Sequence, residues 1–503
     1  MTTTEATTAV TAGRLSLAAP QPLLIGGEEV GAARTFPAVD PSTGRVWAQV
    51  AEGTAGDVDR AVAAARSAFD TWRRTSLDTR QALLWAVAER LTQDAGRWPA
   101  LLATENGRAI REGGLIDVPT AAEIFRFFSG VVRDLHGRTV PCGPGAHVST
   151  TPRPLGVVAA IVPWNSPLIS VAHKLAPALA AGNTVVVKPS ELASVSTVEF
   201  VRLVQDLFPP GVVNVVTGFG PEAGHALVSH PDVAKVSFTG GTETGRRILG
   251  GVSERLVPAL MELGGKGAMV VCPDADLDTV TEDVLTGVFA ANGEVCFASS
   301  RLMVHRDRHD ELLERVVARA ESIVVGDALD PATQLGPLVT AGHRDLVAAR
   351  VRAALSEGAG LRAGGHVPEM SGELAGGSYY RPTVLASPDG TTSASCEEFF
   401  GPVLTVESWT SEEEVVERAN RVAFGLANGV WSTDLAQAYR LADRLDSGMV
   451  WINTWFATPL GQPQGGVKAS GFGREGATST LLEYTSTKVV HASLDTARPP
   501  MWT

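Results

Sequence analysis

The sequence predicts an α/β fold built on two parallel-sheet units, and three observations carry that prediction. Short Val-rich runs alternate with amphipathic helical stretches from about residue 155 to 250. A second alternating block follows from about 262 to 453. The strands in both are apolar along their whole length rather than at every second residue, the pattern of parallel strands covered on both faces. Sheets of this kind bind nucleotides at the carboxyl ends of their strands.

The elements follow in order. Residues 1 to 20, rich in Thr and Ala and without a secretory signal pattern, read as a disordered arm. Leu23 to Val30 and Thr35 to Val50 read as short strands joined by Gly-rich and Pro-Ser-Thr-Gly turns. Two amphipathic helices come next, one carrying Val58, Val62, Ala65, Phe69 and Trp72, the other Leu83, Ala86, Val87 and Leu91. Asp134 to Arg153 reads as an inserted hairpin. The first block then places strands at Val157 to Val162, Thr184 to Val187, Val212 to Val216 and Val233 to Phe238, with helices near 168–180, 195–207 and 221–229 and from Thr242. The second places strands near 268–271, 301–304, 403–408 and 448–452 and a helix over 276–290, and Leu482 to Val490 reads as a terminal strand.

Composition narrows the function. A chain of 503 residues, 44% hydrophobic and 19% charged, is ordinary globular material with enough length for large cores. Its 42 basic and 55 acidic residues leave a net charge of −13, which repels phosphate backbones and anionic lipid and argues against nucleic acid or membrane partners. The longest apolar runs, such as Leu155 to Trp164, are half of the roughly 18 to 20 residues that a bilayer span needs. Cys142, Cys272, Cys296 and Cys396 are widely spaced with no paired-ligand pattern, which fits a reducing cytoplasm and no metal site; His305 and His309, four apart, lack a third ligand in frame.

Several short segments carry chemistry. Cys296 follows the glycine-containing break Asn292-Gly293-Glu294-Val295, which presents a thiol at a turn, although a cysteine is more often a small buried hydrophobe. Glu262 closes the apolar stretch Val257 to Met261 before two glycines, where partial desolvation raises a carboxyl pKa toward that of a base useful near neutrality. Asn165 lies between Pro163 and Pro167 at the end of a strand, with an amide able to donate to an oxyanion or to the backbone. Lys188-Pro189-Ser190-Glu191 follows a strand where an adenine ribose would lie. Phe238-Thr239-Gly240-Gly241-Thr242-Glu243-Thr244-Gly245 joins strand to helix, so its glycines and the helix amino terminus can approach a pyrophosphate.

Together with Glu397-Glu398-Phe399-Phe400-Gly401-Pro402 and Gly465-Gly466-Val467-Lys468-Ala469-Ser470-Gly471, these segments occur in the order and spacing of a known family. From about Leu23 to Val490 the chain resembles the NAD(P)-dependent aldehyde dehydrogenase superfamily. The resemblance implies a Rossmann-type cofactor domain (21–133 and 154–261), an α/β catalytic domain (262–475) and a small β oligomerisation arm (134–153 and 476–495) that makes a homodimer or homotetramer.

It also implies roles. Cys296 would be the nucleophile, Glu262 the general base and Asn165 the oxyanion donor, oxidising a small-molecule aldehyde to a carboxylic acid through a thiohemiacetal and a thioester. Lys188 and Glu191 match the adenosine-ribose contacts and Glu398 the nicotinamide-ribose contact. Phe400 matches the residue beside the nicotinamide, and Trp164, Gly240, Gly241, Gly245 and Leu263 join the cofactor site. Glu191, bonded to the ribose 2′-hydroxyl, favours NAD, with NADP possible. Ser166, Ser170, His173, Phe297, Trp455, Thr458 and Gln464 would line the substrate pocket. Ser166, His173, Thr458 and Gln464 stand where aromatics are common in the family, which favours aldehydes bearing polar groups.

Glu294 replaces the usual glutamine two residues before the nucleophile. The expectation is that it points away from the sulfur toward a Lys or Arg, or is protonated or water-bridged so as to assist Glu262. Two alternatives on the same fold are a coenzyme A-acylating enzyme, which generally lacks the glutamate matching Glu262, and a non-catalytic protein, which commonly lacks Cys296 or Glu262.

Overall fold

The computed structural model describes residues 8–11, 14–387, 389–494 and 501–502. Two large sheets organise it. The first has eight strands, in the order Gly471–Phe472, Ala259–Glu262, Val233–Thr239, Val157–Val162, Thr184–Pro189, Val213–Val215, Leu23–Ile25 and Glu28–Val30. The five from Ala259–Glu262 to Val213–Val215 are parallel, and an antiparallel strand closes each side.

Val157–Val162 shows why the run is continuously apolar. Its side chains alternate between two cores: Val158, Ala160 and Val162 join the helices Leu77–Gln93, Val118–Val131 and Pro167–Ala181, whereas Val157, Ala159 and Ile161 join Ala55–Trp72 and Thr242–Ser253. The strand order reverses around this strand. Successive strands run outward from it on one side and restart on the other, so Pro163 to Ser166 and Thr239 to Thr242 emerge at a topological switch point.

The second sheet has seven strands, in the order Gly360–Ala363, Thr383–Ala386, Val403–Trp409, Arg301–His305, Ala268–Val271, Ala427–Trp431 and Met449–Ile452, all parallel but the first. Met269 and Val271 face one core and Ala268 and Val270 the other. The strand Ala427–Trp431 escapes the sequence reading because Asn428 and Gly429 are poor strand formers. Both are explained by neighbours: Asn428 Oδ1 accepts from the Ala268 amide at 2.9 Å, and a side chain at Gly429 would run into the rings of Trp431 and Trp455.

Thr139–Val140, Ala146–Pro154 and Thr485–Ser493 form a separate antiparallel sheet, paired from Thr485 with Pro154 to Ser493 with Ala146. Val489 and Val490, on its edge strand, are 59% and 48% exposed.

One expectation needs correction. The amino-terminal arm, expected to be disordered through residue 20, forms a hairpin of Thr8–Thr11 with Arg14–Leu17. Arg14 pairs with Asp40 at 2.8 Å and with Asp327, and Leu15 and Leu17 pack on the first core. These partners lie far along the chain and are invisible in a Thr- and Ala-rich composition. Residues 1–7 and 12–13 of that arm lie outside the described residues.

Candidate active site

Asn165 and the loop that carries Cys296 meet between the two sheets. The Pro163–Ser166 turn ends the strand Val157–Val162 and leads into the helix Pro167–Ala181, whose first residue is a proline suited to that position. Asn165 Nδ2 donates to the main-chain carbonyl of Glu294 at 2.7 Å. The Asn165 carbonyl in turn accepts from Asn106 Nδ2 and Arg108 Nη1, both at 3.4 Å. Both ends of the residue are therefore held.

The loop that carries Cys296 is set by an unusual backbone. Ala291, Asn292 and Gly293 have φ of 50°, 59° and 72°, three successive left-handed residues after the helix Leu277–Phe289. Non-glycine residues pay for that region, and the loop keeps it through distant clamps. Asn292 Nδ2 donates to Gly107 O at 3.1 Å and Pro337 O at 2.9 Å, its Oδ1 accepts from Gly336 N at 2.8 Å, and Glu112 accepts from Ala291 N at 3.1 Å. At Gly293 a Cβ would strike the main chain of Gly401, and at Gly265 one would strike the Cys296 carbonyl. Burial pushes the Cys296 thiol well up, and the nearby Glu262 and Glu398 carboxylates push it further.

Glu262 ends the strand Ala259–Glu262, and its Oε1 is buried without a hydrogen-bond partner. Burial first, and then repulsion from Glu475, raise its pKa well above the ordinary carboxylate value, against a smaller opposing pull from Lys174 and Arg474. Glu475 is itself paired: Lys174 Nζ lies 2.9 Å from Glu475 Oε1 and 3.2 Å from Ser237 Oγ, which Tyr484 Oη meets at 3.1 Å. An unpartnered carboxyl of raised pKa near a protected thiol is suited to taking a proton near neutrality.

The expected cofactor residues sit together at the carboxyl edge of the first sheet. Lys188 is buried, with Nζ 2.8 Å from Pro189 O and 3.9 Å from Glu191 Oε2. Gly241 caps the helix Thr242–Ser253 with no side-chain hydrogen bond at its amino terminus and open space where a Cβ would stand. Gly245 packs on Leu263, where a Cβ would collide with the leucine. Glu398 Oε1 accepts from Gly265 N at 2.9 Å, and burial raises its pKa to about 7. Trp164 meets Phe400 edge-on at 5.4 Å. Open amides at a helix amino terminus beside Lys188 and Glu191, with a second carboxyl at Glu398, fit a dinucleotide.

The pocket residues divide. Ser166, Ser170 and His173, spaced four and three, share a face of the helix Pro167–Ala181, and His173 Nδ1 is buried without a partner. Phe297 packs edge-on to Phe456 at 5.3 Å. Trp455, expected in the pocket wall, is only 7% exposed, stacks on Trp431 at 6.0 Å and donates from Nε1 to Phe297 O at 3.2 Å. It is a strut behind Phe297, buried because its ring completes the second core. Thr458 is half-buried, and Gln464 pairs its main chain with Glu475 at 2.9 and 2.8 Å. Glu294 is 1% exposed and turned from the sulfur: Oε1 accepts from Val339 N at 3.0 Å and lies 3.8 Å from His343 Nε2. Its direct partner is an amide rather than the Lys or Arg expected, with Arg108 adding only a longer-range attraction.

Three contributors escape the sequence reading. Arg108, buried between Glu112 at 3.1 Å and Asp117 at 2.8 Å, reaches Asn165 O and Ser166 Oγ. Asn106 supports the same carbonyl. His343 Nε2 lies 2.7 Å from Phe400 O, with its ring against Trp164 at 5.6 Å. The only local signal was the pair Glu112 and Asp117 near an arginine.

A thiol, a carboxyl with an unpartnered oxygen and a fixed amide lie beside a dinucleotide-type sheet. The chain belongs to the aldehyde dehydrogenase family, whose profile matches residues 29–490. It is 40% identical over 473 residues, 93% of this chain and 96% of the relative, to the (Z)-2-((N-methylformamido)methylene)-5-hydroxybutyrolactone dehydrogenase of Acinetobacter baylyi. It is 40% identical over 479 residues, 93% of this chain and 99% of the relative, to the 2-hydroxymuconic semialdehyde dehydrogenase of a Pseudomonas species. Among solved structures, PnpE in complex with nicotinamide adenine dinucleotide superposes with a TM-score of 0.94 at 40% identity, covering 96% of this chain and 99% of that one. PnpE from Pseudomonas sp. WBC-3 gives the same TM-score at 39% identity, covering 96% of this chain and 100% of that one.

Proposed function

We propose that the protein oxidises an aldehyde to a carboxylic acid with NAD, using Cys296 as nucleophile. The observation that carries this is the Asn165 amide held at 2.7 Å on the loop of Cys296, together with a Glu262 carboxyl oxygen that is buried and, among the described residues, without a partner. Lys188, Glu191, Glu398 and the open helix end at Gly241 would hold NAD, which supplies the hydride acceptor when bound.

The residues divide the work. Cys296 gives up its proton to solvent and adds to the aldehyde carbon, the carbonyl π bond opening onto oxygen, and the oxygen that gains charge is met by Asn165 Nδ2 and the Cys296 amide. Once that carbon is oxidised to a thioester, Glu262 takes a proton from water, which attacks the acyl carbon and frees the acid and the thiol. The raised pKa of Glu262 suits this base role, and Lys174 and Glu475 set its electrostatic environment. The reading includes a cytoplasmic location, supported by four widely spaced free cysteines, and assembly into dimers or dimers of dimers through the Ala146–Pro154 and Thr485–Ser493 sheet, supported by its exposed edge valines.

The test is Glu262→Gln followed through the first turnovers. A burst of reduced NAD close to one per site followed by a much slower steady rate supports the scheme, and Cys296→Ala should abolish both phases. Wild-type steady turnover in Glu262→Gln overturns the assignment of the base.

A further inference from the structure

Resting on the reading that the Cys296 cleft oxidises an aldehyde, we propose that Ser166 is a fixed hydrogen-bond donor selecting aldehydes with an oxygen acceptor close to the formyl carbon, and that Arg108 is the positioning residue that fixes it.

The argument begins with what a guanidinium can do. Arg108 Nη1 lies 3.3 Å from Ser166 Oγ, and a guanidinium has donors and no acceptor, so the serine oxygen must accept. The hydroxyl proton then has to point elsewhere, and among the described residues it has no acceptor. A serine hydroxyl has one proton and two lone pairs; Arg108 engages one lone pair and leaves the proton for a ligand acceptor.

The guanidinium is held hard. It is buried, with Nε 3.1 Å from Glu112 and Nη1 2.8 Å from Asp117, and it also reaches the Asn165 carbonyl at 3.4 Å. Glu112 is fixed in turn by the Ala291 amide of the cysteine loop. One buried cation thus aligns the candidate oxyanion donor and the serine beside it. Ser166 follows Asn165 directly, with consecutive Cα atoms about 3.8 Å apart, so the two stand at the same turn under the same guanidinium.

The neighbouring side chains continue the same chemistry. Ser170 and His173 follow on that helix face; among the described residues neither the Ser170 hydroxyl nor the buried His173 Nδ1 has a hydrogen-bond partner. A cleft that presents unspent polar groups rejects plain alkyl chains, because each such chain leaves a desolvated donor without a partner. The acceptor chemistry that fits Ser166 is a carbonyl or hydroxyl oxygen on the second or third carbon.

The experiment compares kcat/KM for matched aldehydes: 2-hydroxypropanal and 2-oxopropanal against 2-methylpropanal, and 3-hydroxybutanal against 3-methylbutanal. The wild type is expected to favour at least one oxygenated member, and the pair that responds distinguishes hydroxyl from carbonyl and the second carbon from the third. Ser166→Ala should lower that ratio about 5- to 10-fold, the worth of one hydrogen bond, and Ser166→Thr, which keeps the hydroxyl, should restore most of it. Arg108→Lys should lower the same ratio in the wild-type background and leave it unchanged in Ser166→Ala. An unchanged ratio in Ser166→Ala, or one that falls equally in Ser166→Thr, overturns the proposal while the aldehyde activity stands. No turnover of any aldehyde overturns the activity itself and the inference with it.

Discussion

The side-chain amide of Asn165 is tied to the main-chain carbonyl of Glu294 at 2.7 Å, across 129 residues of sequence. One amide hydrogen is spent on orientation, and the second is left for the oxygen that becomes negative during reaction. Asn165→Ala removes both, and kcat should fall about 10²- to 10³-fold, the usual cost of one oxyanion donor. Steady-state kinetics on protein with an unchanged melting temperature checks this; a loss under about fivefold would assign the oxyanion elsewhere.

Glu294 turns its carboxyl to Val339 N, and the charges that raise the Cys296 thiol are those of Glu262 and Glu398. Alkylation of Cys296 against pH should therefore shift by less than about half a unit in Glu294→Gln; a fall of more than one unit would reveal direct repulsion.

Stability should also respond to Glu294. Its pKa is raised by burial above the ordinary 4.5, so between those values the folded protein holds a proton that the unfolded chain has released. Stability from this group is present at low pH and declines as pH rises through that window. Glu294→Gln, unable to ionise, should show a shallower decline in urea melts from pH 5 to 8.

Glu191 stands 3.9 Å from Lys188 at the sheet edge where a ribose would lie. Preference for NAD over NADP, taken as the ratio of kcat/KM values, should narrow about tenfold in Glu191→Ala because a carboxylate no longer repels a 2′-phosphate. An unchanged ratio would place the discrimination elsewhere.

The strand Thr485–Ser493 leaves an exposed edge. Light scattering at micromolar concentration should give a dimer or tetramer, and Val489→Lys with Val490→Lys should reduce the mass. A monomeric wild type would refute the assembly.

How much of this was legible in the sequence follows a physical line. Val157 to Val162 announces its strand because burial on both faces needs no distant partner to be read. The turns that carry Cys296, Glu262 and Asn165 were readable because proline and glycine punctuation marks where the chain turns. Arg108 and His343 were not, because their meaning lies in contacts 57 or 58 residues away, to Asn165, Ser166 and Phe400. The packing of Trp455 on Trp431 was not legible for a related reason: an aromatic near the site can be wall or strut, and the contact lies 24 residues away in the chain.

The glycines at 265 and 465 carry a further consequence. One lies against the Cys296 carbonyl and the other against Glu262 Oε1, each with no clearance for a methyl group. They work as spacers between Glu262, at the end of a strand of one sheet, and Cys296, which precedes a strand of the other. Adding a single carbon at either would alter the gap between the reacting groups without replacing either of them. Main chain at 2.2 Å from a Cβ at Gly265, and a φ of 147° at Gly465, mean that such a carbon also costs stability, so lost turnover in either variant is to be read beside its melting curve.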